Sequence, residues 1–461
     1  MYSIHKILYY RIMNGDYLEI SGGVPLIGEV SVSGAKNAVT KLIVASILTD
    51  KVCVLTNVPN ISEIEITLDL CRAIGMKAKW DKEKHELMLQ TKVIKSTTIP
   101  QSFTGANRIP ILLIGALLGR TNERIVVPTV GGCHIGKRPV DFHMHSLQAL
   151  GATIEYQNIG EDSVYVASAH GGLVGDIIEL EYPSVGATEN TILAACRAKG
   201  RTVIKNAAME CEILDLILFV QKLGVSIYID VDRTIHIEGT KMLYGCEHFV
   251  IPDRIVAASF GMAAIATKGR VFVKGAIQEH MVTFLNHLRE IGGNFVVERE
   301  GIEFFYDRPL KGGAVIETDV HPGFMTDWQQ PFTVLLTQSA ASSVVHETVY
   351  ESRFGYVHTL IEMGAEIDFF TKCLGQKPCR FALRNHEHSI VIKGGAKLSP
   401  KDIAIPDLRA GFAYVMAALI AEGTSKITNL HYLDRGYEDL AAKLTSLGAG
   451  VVRVNREMIL V

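Results

Sequence analysis

Residues 129–139 read TVGGCHIGKRP. Cys133 follows Gly131 and Gly132 and precedes Gly136, Lys137 and Arg138, with Pro128 and Pro139 bracketing the stretch. The glycines let such a loop rearrange, and the prolines limit where it bends. Neighbouring cations lower a thiol's pKa and favour the thiolate. The pattern therefore suits a reactive thiol on a loop, with a basic surface turn that happens to hold a cysteine as the alternative.

Other chemistry-bearing residues stand where apolar helices begin. Lys36 and Asn37 lie in SGAKN, Arg108 in ANRIP, and Ser184, Val185 and Gly186 in PSVGATEN. Asp253 and Arg254 lie in IPDRI, Asp327 in MTDWQQ, Asp407 and Arg409 in IPDLRAG, and Arg435 in HYLDRGYE. Helix N-termini offer free N–H groups and the positive end of the dipole. If these helix starts converge, Lys36, Arg108, Arg409 and Arg435, with Lys137 and Arg138 on the loop, would bind a small, multiply charged anion such as a phosphorylated carboxylate. Arginine supplies bidentate contacts and lysine a point charge. Each cation taken alone fits equally well a local pairing, such as Arg409 with Asp407. Asp327 fits either an N-cap or a general base acting on a hydroxyl.

Positioning such residues falls to a repeated unit. A helix ending in an aliphatic residue or Met plus Gly, followed by a strand, recurs six times, at Gly75, Gly151, Gly224, Gly292, Gly364 and Gly448. Successive glycines lie 76, 73, 68, 72 and 84 residues apart. Each is the residue expected to end a helix in a left-handed conformation. Each unit also carries an earlier helix that is apolar nearly all round, as in IPILLIGALLG and FAYVMAALIAEG, which must be buried. The later helix is amphipathic, as in YEDLAAKLTSLG, and a strand such as VCVLTNV or GRVFVKGA lies between them. The pattern predicts an α/β protein with buried helices inside and sheets outside. Units of this length favour a closed arrangement of three units per domain over an open solenoid.

Composition narrows the function classes. Net charge is −3 over 461 residues, so nothing global favours nucleic acid or an anionic membrane. No run of about 18 apolar residues exists to span a bilayer. The opening MYSIHKILYYRIMNGDY is broken by Lys6 and Arg11 and lacks a signal-peptide pattern; residues 1–13 read as an extension or as an over-long start with Met13 the true one. The eight cysteines form no CxxC pairs, and His143, His145, His386 and His388 lack metal spacing. The expectation is no disulfide framework, no zinc site, packing or surface histidines and a reducing cytoplasm.

SGAKNA, GGCHIGKRPVDFH, YPSVGATENT, GCEHFVIPDRI, HPGFMTDWQQPF, ESRFGYVHTLIEMGA, PDLRAG and HYLDRGYEDLAAKLTSLGA, in order along the chain, resemble the UDP-N-acetylglucosamine enolpyruvyl transferases of the enolpyruvyl transferase family. The resemblance implies two inside-out α/β barrel domains, each of three βαβαββ-type units. One would be discontinuous, residues 1–34 and 249–461. The other, 35–248, would carry the cysteine loop 128–139, with the active site in a cleft between them. It implies enolpyruvyl transfer from phosphoenolpyruvate to the 3′-hydroxyl of UDP-N-acetylglucosamine by addition and elimination, opening peptidoglycan synthesis.

On this resemblance Lys36, Arg108, Arg138, Arg409 and Arg435 surround phosphoenolpyruvate. Cys133 is the proton-donating thiol that forms a covalent adduct and is open to an epoxide phosphonate. Asp327 is the base on the sugar hydroxyl. Asn37, Ser184, Val185, Gly186 and Val349 contact the nucleotide sugar, which Arg138 also reaches, while Arg353 and Asp407 hold the site together. No metal, organic cofactor, nucleic acid or membrane partner is implied. His134 stands where the family has small or acidic residues. The rivals are a shikimate 3-phosphate enolpyruvyl transferase, a non-catalytic paralogue that binds the nucleotide sugar, and an RNA-end cyclase of related design.

Overall fold

The computed structural model describes residues 15–130, 140–160, 162–377 and 379–455. They divide into two compact units. A terminal unit holds 15–33 and 252–455, and a central unit holds 34–130 and 140–251.

Twelve α-helices are described, two per repeat. They are α1 (Lys36–Ala45), α2 (Ser62–Ala73), α3 (Ile109–Leu118), α4 (Asp141–Ala149), α5 (Val185–Ala195), α6 (Cys211–Lys222), α7 (Arg254–Ala266), α8 (Val282–Glu290), α9 (Gln329–Thr337), α10 (Val357–Glu362), α11 (Leu408–Ile420) and α12 (Leu440–Ser446). The odd-numbered helices are the more deeply buried ones. Every residue of α3, α7 and α9 is buried. Burying each of their Leu, Ile or Phe side chains stabilises the fold by about 1.5–3 kcal/mol. The even-numbered helices expose one face, as α8 does with Phe284, Leu285 and Leu288 inward. All six predicted glycines follow an even-numbered helix at positive φ, between 90° and 110°. There a side chain would strain the backbone, so glycine ends the helix and turns the chain into the next strand.

The sheets explain the repeat. Each full repeat places a short strand parallel to a second strand across an odd helix. A two-stranded segment then follows the even helix and pairs antiparallel. In the fifth repeat Val315–Glu317 lies parallel to Ser343–His346, which pairs antiparallel with Ser389–Ile392, and that in turn with Ile367–Phe370. Residues 177–179, 201–205, 234–238 and 226–230 repeat this order in the central unit.

Strands from distant parts of the chain complete three sheets. In the terminal unit, Ile27–Ser31 fills the parallel position beside Arg270–Lys274, and Tyr17–Gly22 sits between Gly423–Thr428 and Gly450–Val454. In the central unit, Glu247–Phe249 returns to lie parallel to Cys53–Thr56. The second repeat reduces its parallel strand to a single bridge, Thr98 with Val126.

The inner helices of each unit pack on one another: α3 against α1 and α5 in the central unit, and α7, α9 and α11 mutually in the terminal unit. Strands alternate buried and exposed residues, as Arg270–Lys274 does. One sheet face therefore covers the helices and the other meets solvent.

Candidate functional site

In the central unit the inner helices meet near their middles. Asn190 on α5 donates to the Ile111 carbonyl on α3 (3.1 Å) and accepts from Gly115 N–H (3.1 Å). Lys41 on α1 donates to the Asn37 carbonyl (2.8 Å) and lies 3.7 Å from Glu189 on α5. These contacts tie the three helices to one another. Lys36 and Asn37 open α1, where the N-cap Ala35 offers no side-chain acceptor. Arg108 is the N-cap of α3, beside Asn107, whose Oδ1 accepts from Ile109 N–H at 3.0 Å. Ser184 caps α5 through Ala187 N–H (3.4 Å), ahead of Val185 and Gly186. His143 is a buried packing residue hydrogen-bonded to Asn190 (3.2 Å).

Glu189 was not singled out from the sequence; its only signal is a carboxylate inside the apolar run TENTILAACRA. Burial pushes its pKa to about 7, Lys41 opposes the shift, and Glu212 and Glu210 add to it. Below the ordinary value of 4.5, folded and unfolded chains both hold the proton. As pH rises from there to about 7 the unfolded chain ionises first, so stability falls, by about 3 kcal/mol in all for this shift. Glu189→Gln is expected to stabilise the protein above pH 7 by up to that amount, less whatever Lys41 loses, and to change little below pH 4.5. Denaturant unfolding at both pH values measures it; equal shifts at both would contradict the linkage.

In the terminal unit the structure brings together Asp327, Arg353, Arg409 and Asp407. Asp327 lies in the 3-10 turn Thr326–Trp328 that leads into α9. It caps no helix: α9 has no side-chain cap, and the carboxylate faces two guanidiniums instead. Arg353 Nη2 donates to Oδ1 at 2.6 Å, and Arg409 Nε lies 3.3 Å from Oδ2. The local pairing of Arg409 with Asp407 is replaced by a different division. Asp407 Oδ1 accepts from the backbone N–H groups of Arg409 (2.9 Å) and Ala410 (3.2 Å), capping α11, while the Arg409 side chain turns to Asp327. Asp253 caps α7 in the same way, through Ile255 and Val256 N–H (2.8 and 3.1 Å), and Arg254 lies over the Trp328 ring.

Both arginines are buried. Burial works against the charge on Arg353, yet Asp327, Asp407 and Glu347 outweigh it and hold its pKa above the usual arginine value. Glu347, a residue the motifs did not pick out, organises the neighbouring turn. Its Oε2 accepts from Thr326 Oγ1 (2.8 Å) and Gln329 Nε2 (3.1 Å), and its Oε1 from Val349 N–H (2.8 Å) and Tyr350 N–H (3.0 Å). This places Val349 beside the Asp327 turn. Arg435 ends a 3-10 turn, Leu430–Arg435, of the same unit; with burial, its charge holds His431 below the ordinary value. Cys133, Lys137 and Arg138 lie outside the described residues.

A model of the EPSP synthase (3-phosphoshikimate 1-carboxyvinyltransferase) family matches residues 20–444. A UDP-N-acetylglucosamine 1-carboxyvinyltransferase of Protochlamydia amoebophila is 62% identical over 442 residues, covering 96% of this chain and 95% of that one. The chain belongs to the UDP-N-acetylglucosamine 1-carboxyvinyltransferases of this family. Relatives of the same name from Chlamydia pneumoniae (57% identical, 94% of each chain) and Staphylococcus epidermidis (38%, 96% of this chain and 100% of that one) extend the likeness. Solved structures share the fold at lower identity. The enolpyruvyl transferase NikO from Streptomyces tendae superimposes with a TM-score of 0.83 at 20% identity, covering 96% of this chain and 99% of that one. EPSP synthase from Acinetobacter baumannii gives 0.72 at 17%, covering 95% and 100%. As a UDP-N-acetylglucosamine 1-carboxyvinyltransferase the chain is a transferase.

One group of His and Cys ligands among the described residues lies close enough to share a metal: His346, Cys373, Cys379 and His388. None belongs to the substrate-site residues named above. The sequence alone predicts no zinc site and a surface or packing role for His388, because no metal spacing links these residues. The ligands come from a strand end and a long connection, so no short spacing announces them.

Proposed function

We propose that this chain transfers the enolpyruvyl group of phosphoenolpyruvate to the 3′-hydroxyl of UDP-N-acetylglucosamine, releasing phosphate, as the first committed step of peptidoglycan synthesis in the cytoplasm. The observation that carries the mechanism is the carboxylate of Asp327 held between the buried guanidiniums of Arg353 and Arg409. No described helix is long and apolar enough to cross a membrane, and the described cysteines are free thiols. The finer architecture we propose is an inside-out barrel in each unit, supported by the buried odd helices and the half-exposed sheets.

In this reading Lys36, Arg108, Arg138, Arg409 and Arg435 hold the phosphate and carboxylate of the donor. Asn37, Ser184, Val185, Gly186 and Val349 hold the nucleotide sugar. Cys133 gives a proton to the donor's methylene, which makes C2 electrophilic. The sugar hydroxyl attacks C2 and its proton passes to Asp327. The methyl group then loses a proton and the C2–O bond to phosphate breaks. Two adjacent cations weaken a carboxylate as a base. When the terminal nitrogens of Arg409 take up the donor's anionic groups while Nε stays on Asp327, the donor's negative charge offsets the guanidinium and Asp327 regains basicity, so the base is strongest when the donor is present.

Phosphate release from phosphoenolpyruvate tests the reading. Release is expected with UDP-N-acetylglucosamine, not with shikimate 3-phosphate, and should be lost in Cys133→Ala. Release with shikimate 3-phosphate alone would reassign the acceptor. Nucleotide-sugar binding without release would make the chain a binding protein.

A further inference from the structure

The fifth repeat departs from the others at its hairpin. In three other repeats the paired strands are joined by residues 82–85, 231–233 and 299–300. In the fifth, Ile367–Phe370 and Ser389–Ile392 pair in register, yet the chain between them runs through 371–388. Besides His388, Phe381 is the one buried side chain described in that segment, and Leu383 is fully exposed. So little apolar burial does not offset the entropy of ordering such a length of chain. Polar contacts hold part of it, such as Leu374 N–H to Ser389 Oγ (3.2 Å) and Lys377 with Asp319.

The segment also brings ligands together. One donor atom each from His346, Cys373, Cys379 and His388 lies within 4.8 Å of all the others. Both histidines are buried, and both cysteines are free thiols. Cys373 Sγ lies 3.4 Å from His388 Nε2. A tetrahedral zinc, with bonds of about 2.3 Å to sulfur and about 2.0–2.1 Å to nitrogen, sets its sulfur and nitrogen ligands about 3.5 Å apart.

The surrounding contacts leave the correct atoms for a metal. His346 Nδ1 bonds Glu317 Oε1 at 3.1 Å, and its buried Nε2 has no hydrogen-bond partner. His388 Nδ1 bonds the His386 carbonyl at 2.7 Å, so Nε2 faces the cysteines. Metal-binding histidines are held in this way, by a carboxylate or carbonyl on the other nitrogen. Phe381 N–H donates to Cys379 Sγ (3.3 Å). Lys377 N–H donates to the same Glu317 oxygen (2.9 Å). A Cβ at Gly375 would fall 1.9 Å from that oxygen and 2.5 Å from His346 Nδ1, so only glycine lets the turn approach the histidine so closely.

We propose that His346, Cys373, Cys379 and His388 bind a structural zinc ion that staples residues 371–388 to the strand ending at His346. Two thiolates and two imidazoles with no vacant position are the donor set of a closed zinc site. The role is to order this segment and takes no part in enolpyruvyl transfer.

The test uses the untagged full-length protein. Elemental analysis by mass spectrometry is expected to find one zinc per chain, and chelation should lower the unfolding temperature, with zinc restoring it. Cobalt(II) in place of zinc should give the strong visible bands of a tetrahedral site and thiolate-to-cobalt charge transfer. Both signals should vanish in Cys373→Ser and Cys379→Ser and persist in Cys133→Ala. If the serine variants fail to fold, the wild-type cobalt spectrum and chelator titration still decide. Sub-stoichiometric zinc together with absent thiolate bands, or a Cys373–Cys379 disulfide in protein kept under reducing conditions, would overturn the proposal.

Discussion

Asp327→Asn is expected to lower kcat by about 10²–10⁴-fold, the range for removing a positioned general base, while the KM for the nucleotide sugar moves only a few-fold. Asparagine keeps an oxygen for Arg353 Nη2, which now sits 2.6 Å from Oδ1. It loses the charge that faces Arg353 and Arg409 and the lone pair that would accept the hydroxyl proton. Removing one partner of a buried ion pair costs about 3–5 kcal/mol when nothing else compensates. Here Glu347 and Asp407 still offset the charge on Arg353, so the stability loss should fall below that range. Steady-state kinetics with thermal unfolding on the same preparation separates the two effects. A folded Asp327→Asn enzyme within tenfold of the wild-type kcat would remove Asp327 from the chemistry.

Patterns that repeat locally were legible in the sequence. The six glycines ended six helices because each second helix stops where a positive φ is needed, and that requirement is written in one residue. The inner helices were legible because ten consecutive apolar residues, as in α3, have no face to give to water. Strand partners were not legible. Nothing near Tyr17–Gly22 says that it lies between Gly423–Thr428 and Gly450–Val454, because the pairing is set by sheet completion across the whole chain.

The same division holds at the site. That Asp327 and Arg409 stand at helix starts was readable; that they face each other was not, since it depends on α9 and α11 packing side by side. Glu347 escaped notice for the opposite reason. Its four hydrogen bonds are to a turn and a helix start, and the sequence ETVYESR carries no periodicity to mark it. The His and Cys cluster needed three dimensions as well, since His346 ends one strand while its partners lie in 373–388.

Arg409→Lys should raise the KM for phosphoenolpyruvate and cut kcat by about 10²–10³-fold, with nucleotide-sugar affinity nearly unchanged. The substitution keeps the charge and the helix cap, because Asp407 grips the backbone N–H of residue 409 and not its side chain. What changes is geometry. Arginine can set Nε toward Asp327, as it does at 3.3 Å, and still present its two terminal nitrogens to a carboxylate or phosphate. A lysine has one ammonium and must choose. If it stays with Asp327 the donor loses a contact and the base stays weakened; if it turns to the donor, Asp327 keeps only Arg353. Either way the link between donor binding and base strength is broken, so both parameters should suffer together. A lysine variant that raises only the KM would mean that Arg409 binds the donor without tuning Asp327, and the proposed coupling between them would fall.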